Sequence, residues 1–139
     1  MQGVMVDTSV WVAYFREGDA AKSVADALDY LLSGDEVVTN EIILTELIPF
    51  MRLRREKRAE EALLALPNPE LRIDWPGVRA LQEKCLRAGI NNVGIPDLII
   101  ALHTKGLDVP LFSIDRHFRL LAPLCGLRLW PGDRDSGKV

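Results

Sequence analysis

Short uninterrupted apolar runs alternate along this chain with longer segments whose apolar residues recur every three or four positions, which predicts strands alternating with amphipathic helices. Val4-Met5-Val6 reads as a buried strand, and Asp7-Thr8-Ser9 supplies capping side chains for a helix carrying Trp11, Val12, Tyr14 and Phe15. Val24, Ala27, Leu28, Leu31 and Leu32 share one face of a second helix over about 20–32, with Gly34 placed to end it. Glu36-Val37-Val38-Thr39 predicts a second strand, and Asn40 caps a helix with core positions Ile43, Leu44, Leu47 and Ile48. Pro49 lacks a backbone donor and clashes with the preceding turn, so a kink or an end is expected there, with a further helix over 52–66. Leu71-Arg72-Ile73 is a third candidate strand; Pro76 suits the first turn of a helix that Gly89 closes. An apolar helix then runs from Asp97 to near Gly106, a fourth strand covers 109–113, and a short helix lies around 118–121. A final strand over 127–130 precedes a polar tail.

Alternation of this kind predicts an α/β fold with helices on both faces of a mostly parallel sheet. With right-handed crossovers, residues just beyond the strands gather along one edge of such a sheet. Four carboxylates stand out against that frame: Asp7 after the first strand, Glu46 on the third helix, Asp97 at a helix start and Asp115 after Ser113-Ile114. The topology brings Asp7 and Asp115 together, whereas the approach of Glu46 and Asp97 is not readable from spacing. Each acid alone has an ordinary role: caps for Asp7 and Asp97, a surface position for Glu46, a turn for Asp115. A charged group against apolar elements is costly unless paired or metal-bound, and a set of carboxylates repels itself. Oxygen-only donors of this kind suit a hard cation such as Mg²⁺ or Mn²⁺, which can activate water and neutralise charge on a phosphodiester.

The chain of 139 residues is 48% hydrophobic and 27% charged, which suits one domain over 1–131 with a polar tail over 132–139. No apolar run approaches the roughly 20 residues that span a bilayer, and Asp7 interrupts the place of a signal peptide, so a cytoplasmic protein without membrane association is expected. Cys85 and Cys125 have no CxxC partner or histidine cluster and read as reduced structural thiols. A net charge of −3 gives no global attraction to nucleic acid, so contact with a polyanion requires a local basic patch or a bound cation.

Val6-Asp7-Thr8-Ser9, the segment from Asn40 to Leu47, Ile95-Pro96-Asp97-Leu98-Ile99-Ile100-Ala101 and Ser113-Ile114-Asp115-Arg116-His117-Phe118 together resemble the PIN-domain ribonucleases, especially the VapC-type toxins of toxin-antitoxin pairs. The resemblance spans nearly the whole chain through the order and spacing of motifs that are individually short. It implies a three-layer α/β/α sandwich and an Mg²⁺- or Mn²⁺-dependent endoribonuclease with Asp7, Glu46, Asp97 and Asp115 as metal-binding, catalytic acids. Structured RNA such as transfer or ribosomal RNA is the implied substrate, a VapB-type antitoxin the implied protein partner, and homodimerisation is common in the family. Ser113 stands where the family commonly has threonine; the hydroxyl remains.

Thr8 and Ser9 either cap the first helix or orient Asp7, and Ser113 joins them as a candidate supporting hydroxyl. The basic run over 52–58 contributes Arg52, Arg54 and Arg55 as RNA-phosphate candidates, with Arg116 and Arg119 near the last acid; a solvated helix face is the other reading. His117 reads as a solvated loop residue and His103 as a packed one. Trp11, Tyr14 and Phe15 fit core, base-stacking and interface roles alike. Two other functions are compatible with the acids: a non-catalytic RNA- or protein-binding domain, and a phosphotransfer domain with Asp7 as acceptor, which lacks a second aspartate at position 9.

Overall fold

The computed structural model describes residues 2–16 and 22–132. Three short strands, β1 (Val4–Val6), β2 (Val37–Val38) and β3 (Leu111–Phe112), form a parallel sheet in the order β2-β1-β3. Val4 and Met5 pair with Val37 and Val38 on one side, and Met5 and Val6 with Leu111 and Phe112 on the other. The chain thus leaves the central strand toward one edge and later returns on the opposite side. That reversal makes the C-terminal ends of β1 and β3 the switch point, where open α/β sheets place their clefts.

Seven helices surround the sheet among the described residues: α1 (Thr8–Phe15), α2 (Lys22–Ser33), α3 (Glu41–Leu53), α4 (Lys57–Leu64), α5 (Trp75–Arg87), α6 (Ile95–Gly106) and α7 (Arg116–Cys125). Helices α1 and α2 pack together, α5, α6 and α7 form a second group, and α3 touches both α1 and α6. This is the three-layer α/β/α sandwich. Met5, Val6, Leu28, Leu31, Ile43, Leu98, Ile100, Leu111, Phe118 and Leu121 are fully buried in one continuous core. Truncating any of the larger ones to alanine removes about 2–5 kcal/mol of transfer and cavity energy. None of the described helices is long and apolar enough to cross a membrane.

Several expectations change in detail. Pro49 lies inside α3, which runs on to Leu53; Pro49 and Thr45 both face solvent, where water can serve the carbonyl that loses its donor. The helix expected over 52–66 is two pieces. Arg54 ends α3, Arg55 takes a φ of 57°, and the Glu56 amide donates back to the Met51 carbonyl at 2.9 Å before α4 begins. Leu71 and Ile73 alternate toward the core without forming a strand. The backbone there is fixed instead by His103 Nε2, 3.1 Å from the Glu70 carbonyl oxygen, so period-two burial arises without a neighbouring strand to pair with. The strand expected over 127–130 is reduced to one parallel bridge, Leu111 with Leu129. Positions 20–21 of the expected second helix and 133–139 of the polar tail lie outside the described residues.

Two glycines set the ends of helices. Gly89 (φ 76°) closes α5, with the Ile90 amide donating to the Cys85 carbonyl at 2.8 Å, and Gly126 (φ 75°) closes α7. Cys85 and Cys125 are both free.

Candidate functional site

Where β1 ends, the Asp7 amide donates to the Phe112 carbonyl of β3 at 2.9 Å, which locks the first residues beyond the two strands side by side. Asp7 is only 4% exposed and is the N-cap of α1. Its Oδ2 accepts three hydrogen bonds: from the Ser9 amide (3.3 Å), the Ser9 hydroxyl (2.7 Å) and the Ser113 hydroxyl (2.9 Å). Each serine directs its single hydroxyl proton to Asp7 while its oxygen receives a backbone amide, Ile114 N–H for Ser9 (3.1 Å) and Asp115 N–H for Ser113 (3.0 Å). Both hydroxyls are therefore oriented by the backbone that follows β3. Asp7 Oδ1 receives no hydrogen bond among the described residues, so one oxygen of a buried carboxylate is fixed in place and free to bind.

Thr8 donates its hydroxyl to Glu46 Oε1 at 2.6 Å, tying the start of α1 to the exposed acid on α3. Asp97 lies in the first turn of α6, after Gly94 and Pro96, and Asp115 is the N-cap of α7, accepting from the His117 amide at 2.9 Å. His117 Nδ1 lies 3.6 Å from Asp97 Oδ2 and 3.4 Å from Asp115 Oδ1. Ligand-capable atoms of Asp97, Asp115 and His117 all fall within 4.8 Å of one another.

Asp97 reports how close the acids come. Burial, then the charges of Asp7 and Asp115, and more weakly that of Glu46, push its carboxyl up to about 6, against the lowering influence of His117. The helix N-terminus at which it sits favours its charged form; burial, and after it the neighbouring carboxylates, outweigh that. A rigid, oxygen-rich and electrostatically unbalanced set fits a hard divalent cation. His117 is the one residue here that its sequence context had suggested was a solvated loop position. A histidine two residues beyond an aspartate N-cap falls in the first helical turn, and that spacing was the available signal.

The remaining sequence candidates are spread more widely. Arg52 is held by Glu60 of α4 at 2.9 Å, while Arg54 and Arg55 occupy the turn between α3 and α4, about 12 Å along the helix axis from Glu46. Arg116 is exposed at the start of α7, directly beside Asp115. Trp11 is buried, and Tyr14 and Phe15 pack against it at the core margin, Tyr14 donating its hydroxyl to Asp29 at 2.7 Å. His103 bridges Asn40 (3.1 Å) and Glu70, and burial lowers its pKa.

A parallel α/β/α sandwich with carboxylates gathered at the switch point of its sheet defines a recognisable class. The family model described as PIN domain matches residues 4–123, and the chain belongs to that family. Among solved structures, FitAcB from Neisseria gonorrhoeae superposes with a TM-score of 0.65 and 18% identity, covering 86% of this chain and 93% of that one. VapBC2 from Rickettsia felis, bound to a DNA fragment from its promoter, gives 0.62 and 19% over 81% and 87% of the two chains. VapC20 from Mycobacterium tuberculosis, described as a sarcin-ricin loop cleaving toxin, gives 0.61 and 20% over 85% and 94%. At these identities the likeness establishes the shared fold.

Proposed function

We propose that this chain is a divalent-cation-dependent endoribonuclease and the toxin of a toxin-antitoxin pair. The observation that carries the reading is the gathering of Asp7, Asp97 and Asp115 beyond the ends of β1 and β3, with His117 facing the last two; burial first, then the charges of Asp7 and Asp115, raise the Asp97 carboxyl to about 6. Acids serving only as caps and solubilising groups would have no reason to meet at one point. Asp7, Glu46, Asp97 and Asp115 would hold Mg²⁺ or Mn²⁺; a cation bound there supplies charge neutralisation at the scissile phosphate and lowers the pKa of the attacking water.

The chain's own residues preset that chemistry. Ser9 and Ser113 fix Asp7 through Oδ2 and leave Oδ1 available, and Thr8 fixes Glu46. Such supporting hydrogen bonds orient ligands and keep them from collapsing onto other donors. His117 Nδ1 faces both Asp97 and Asp115 and bridges the last two carboxylates. Hydrolysis forms a bond from water oxygen to phosphorus, breaks the bond to the leaving ribose oxygen and delivers a water proton to that oxygen. Arg54, Arg55 and Arg116 are the candidates for holding flanking phosphates.

Structural neighbours solved as VapBC and FitAcB assemblies support an antitoxin partner of VapB type, and VapC20 supports structured RNA as the substrate class. The same reading makes residues 1–131 one domain, acting in the cytoplasm and forming a homodimer. It is tested by incubating purified, antitoxin-free protein with total RNA and Mg²⁺ or Mn²⁺. Discrete fragments that vanish with EDTA and with Glu46→Gln are expected; identical fragments under both controls would contradict it.

A further inference from the structure

The loop between α5 and α6 and the exposed side of α7 line an open cavity of about 470 Å³, and His117 forms part of its wall. The opposite environment of His117 is the acidic set, so the cavity adjoins that set directly. Its volume lies within the roughly 300–1,000 Å³ range of small-ligand sites, enough for a single nucleotide and too small for a duplex.

Its polar lining is Arg116, His117 and Arg119 from α7 and Asn91 and Asn92 from the loop, with Ile90 and Leu120 as its apolar members. Leu120 is 46% exposed despite its size. Elsewhere Arg52, Arg72, Arg87 and Arg128 each hold a carboxylate, while Arg54, Arg55, Arg58 and Arg79 have no ion pair among the described residues. Arg116 and Arg119 make no ion pair, and the side chains of Asn91 and Asn92 make no hydrogen bond, among the described residues. The loop is also shaped away from helix: Gly89 (φ 76°) turns the chain out of α5, and a Cβ there would meet nothing within 4 Å. Two unpaired guanidiniums, two unpaired amides and an apolar surface thus converge beside the carboxylates.

Those groups match a nucleotide part by part. Guanidinium forks bind phosphate oxygens, a carboxamide offers the donor and acceptor that a base edge requires, and RNA is read most specifically through single-stranded bases splayed from the stack. Resting on the ribonuclease reading above, we propose that this cavity is a single-nucleotide subsite flanking the cleaved bond. Arg116 and Arg119 take a phosphate there, and Asn91 and Asn92 select the base.

The test has two arms. In the first, the full chain in Mg²⁺ is titrated separately with AMP, GMP, CMP, UMP and inorganic phosphate while side-chain resonances are followed by NMR. Phosphate should shift only the Arg116 and Arg119 side chains. The nucleotides should also shift the Asn91 and Asn92 amides, with affinities differing on the order of tenfold between bases. Amides silent to all four nucleotides, or moved equally by phosphate, would overturn the subsite. In the second arm, cut sites are mapped on RNA of randomised sequence for wild type and for Asn91→Ala/Asn92→Ala. The cuts made by the double variant should show no base preference at one position beside the cut, whatever their rate; an unchanged preference would overturn the assignment. If wild type leaves every RNA intact while the nucleotides bind as described, the subsite stands and the ribonuclease reading fails.

Discussion

Replacing Asp97 with asparagine should make the cation-free protein more stable at neutral pH, although it removes a residue placed at the centre of the site. The carboxyl is raised to about 6 from an ordinary 3.8, so above pH 6 the folded state carries a charge that the unfolded chain accommodates more easily. A shift of about 2 units corresponds to a ceiling of about 3 kcal/mol. The side chain is 23% exposed, and solvent screening reduces that to about 1–2 kcal/mol, a rise in Tm of about 4–8 °C for a chain of this size. Asn is nearly isosteric and keeps the helix N-terminus occupied, so packing changes little.

The pH dependence fixes the sign. Because the folded pKa lies above the unfolded one, the folded state binds the extra proton between 3.8 and about 6; wild type therefore gains on the variant as pH falls through that window and should equal it below about pH 4. His103, whose pKa burial lowers, acts oppositely, disfavouring the folded state as pH drops below 6.5, but it is common to both proteins and cancels in the difference. Saturating Mg²⁺ should invert the order, since a ligand at 100 times its Kd stabilises by about 2.7 kcal/mol and the variant loses a ligand charge. Thermal unfolding followed by circular dichroism, at several pH values with EDTA or Mg²⁺, measures all of this. A variant less stable than wild type in EDTA at neutral pH, or a difference that ignores pH, would refute the electrostatic account of Asp97.

Ser113→Ala removes the donor to Asp7 and the acceptor for the Asp115 amide; chemical denaturation should show a loss of about 1–3 kcal/mol, Mn²⁺ affinity should fall about tenfold, and Ser113→Thr should restore both. Asn40 is fully buried, caps α3 by accepting from the Ile43 amide at 3.0 Å and meets His103, so Asn40→Ala should cost about 1–3 kcal/mol in denaturant unfolding; a cost below about 0.5 kcal/mol would remove it as a structural tie. Arg54→Gln with Arg55→Gln should weaken binding of single-stranded RNA and flatten the slope of log K against log salt by about 1.4. An unchanged slope would return both arginines to the solvated surface.

The chain order of this fold is written plainly in its hydrophobic periods. β1 followed by Asp7-Thr8-Ser9 is legible because a strand must end before a cap begins, and Asn40 and Gly89 mark helix ends by their own backbone chemistry. Less legible is anything that depends on a neighbour. Leu71 and Ile73 alternate like a strand, but only the position of an adjacent edge decides whether a ladder forms, and their segment is anchored through His103 instead. Pro49 stays within α3 on the face turned to water, opposite the core positions Ile43, Leu44, Leu47 and Ile48. In the site, proximity of Asp7 and Asp115 follows from a parallel sheet, whereas the meeting of Asp97 with His117 requires the packing of α6 on α7, and the tie of Glu46 to Thr8 that of α3 on α1, both fixed only in three dimensions.

Direct titration of Mn²⁺ into the purified, metal-stripped protein by calorimetry, for wild type and Asp97→Asn, tests the metal centre most closely. Saturable binding by wild type that weakens at least about tenfold in a folded Asp97→Asn variant is the predicted result; absent binding, or equal affinity in the two proteins, would contradict the assignment of these carboxylates as a cation site.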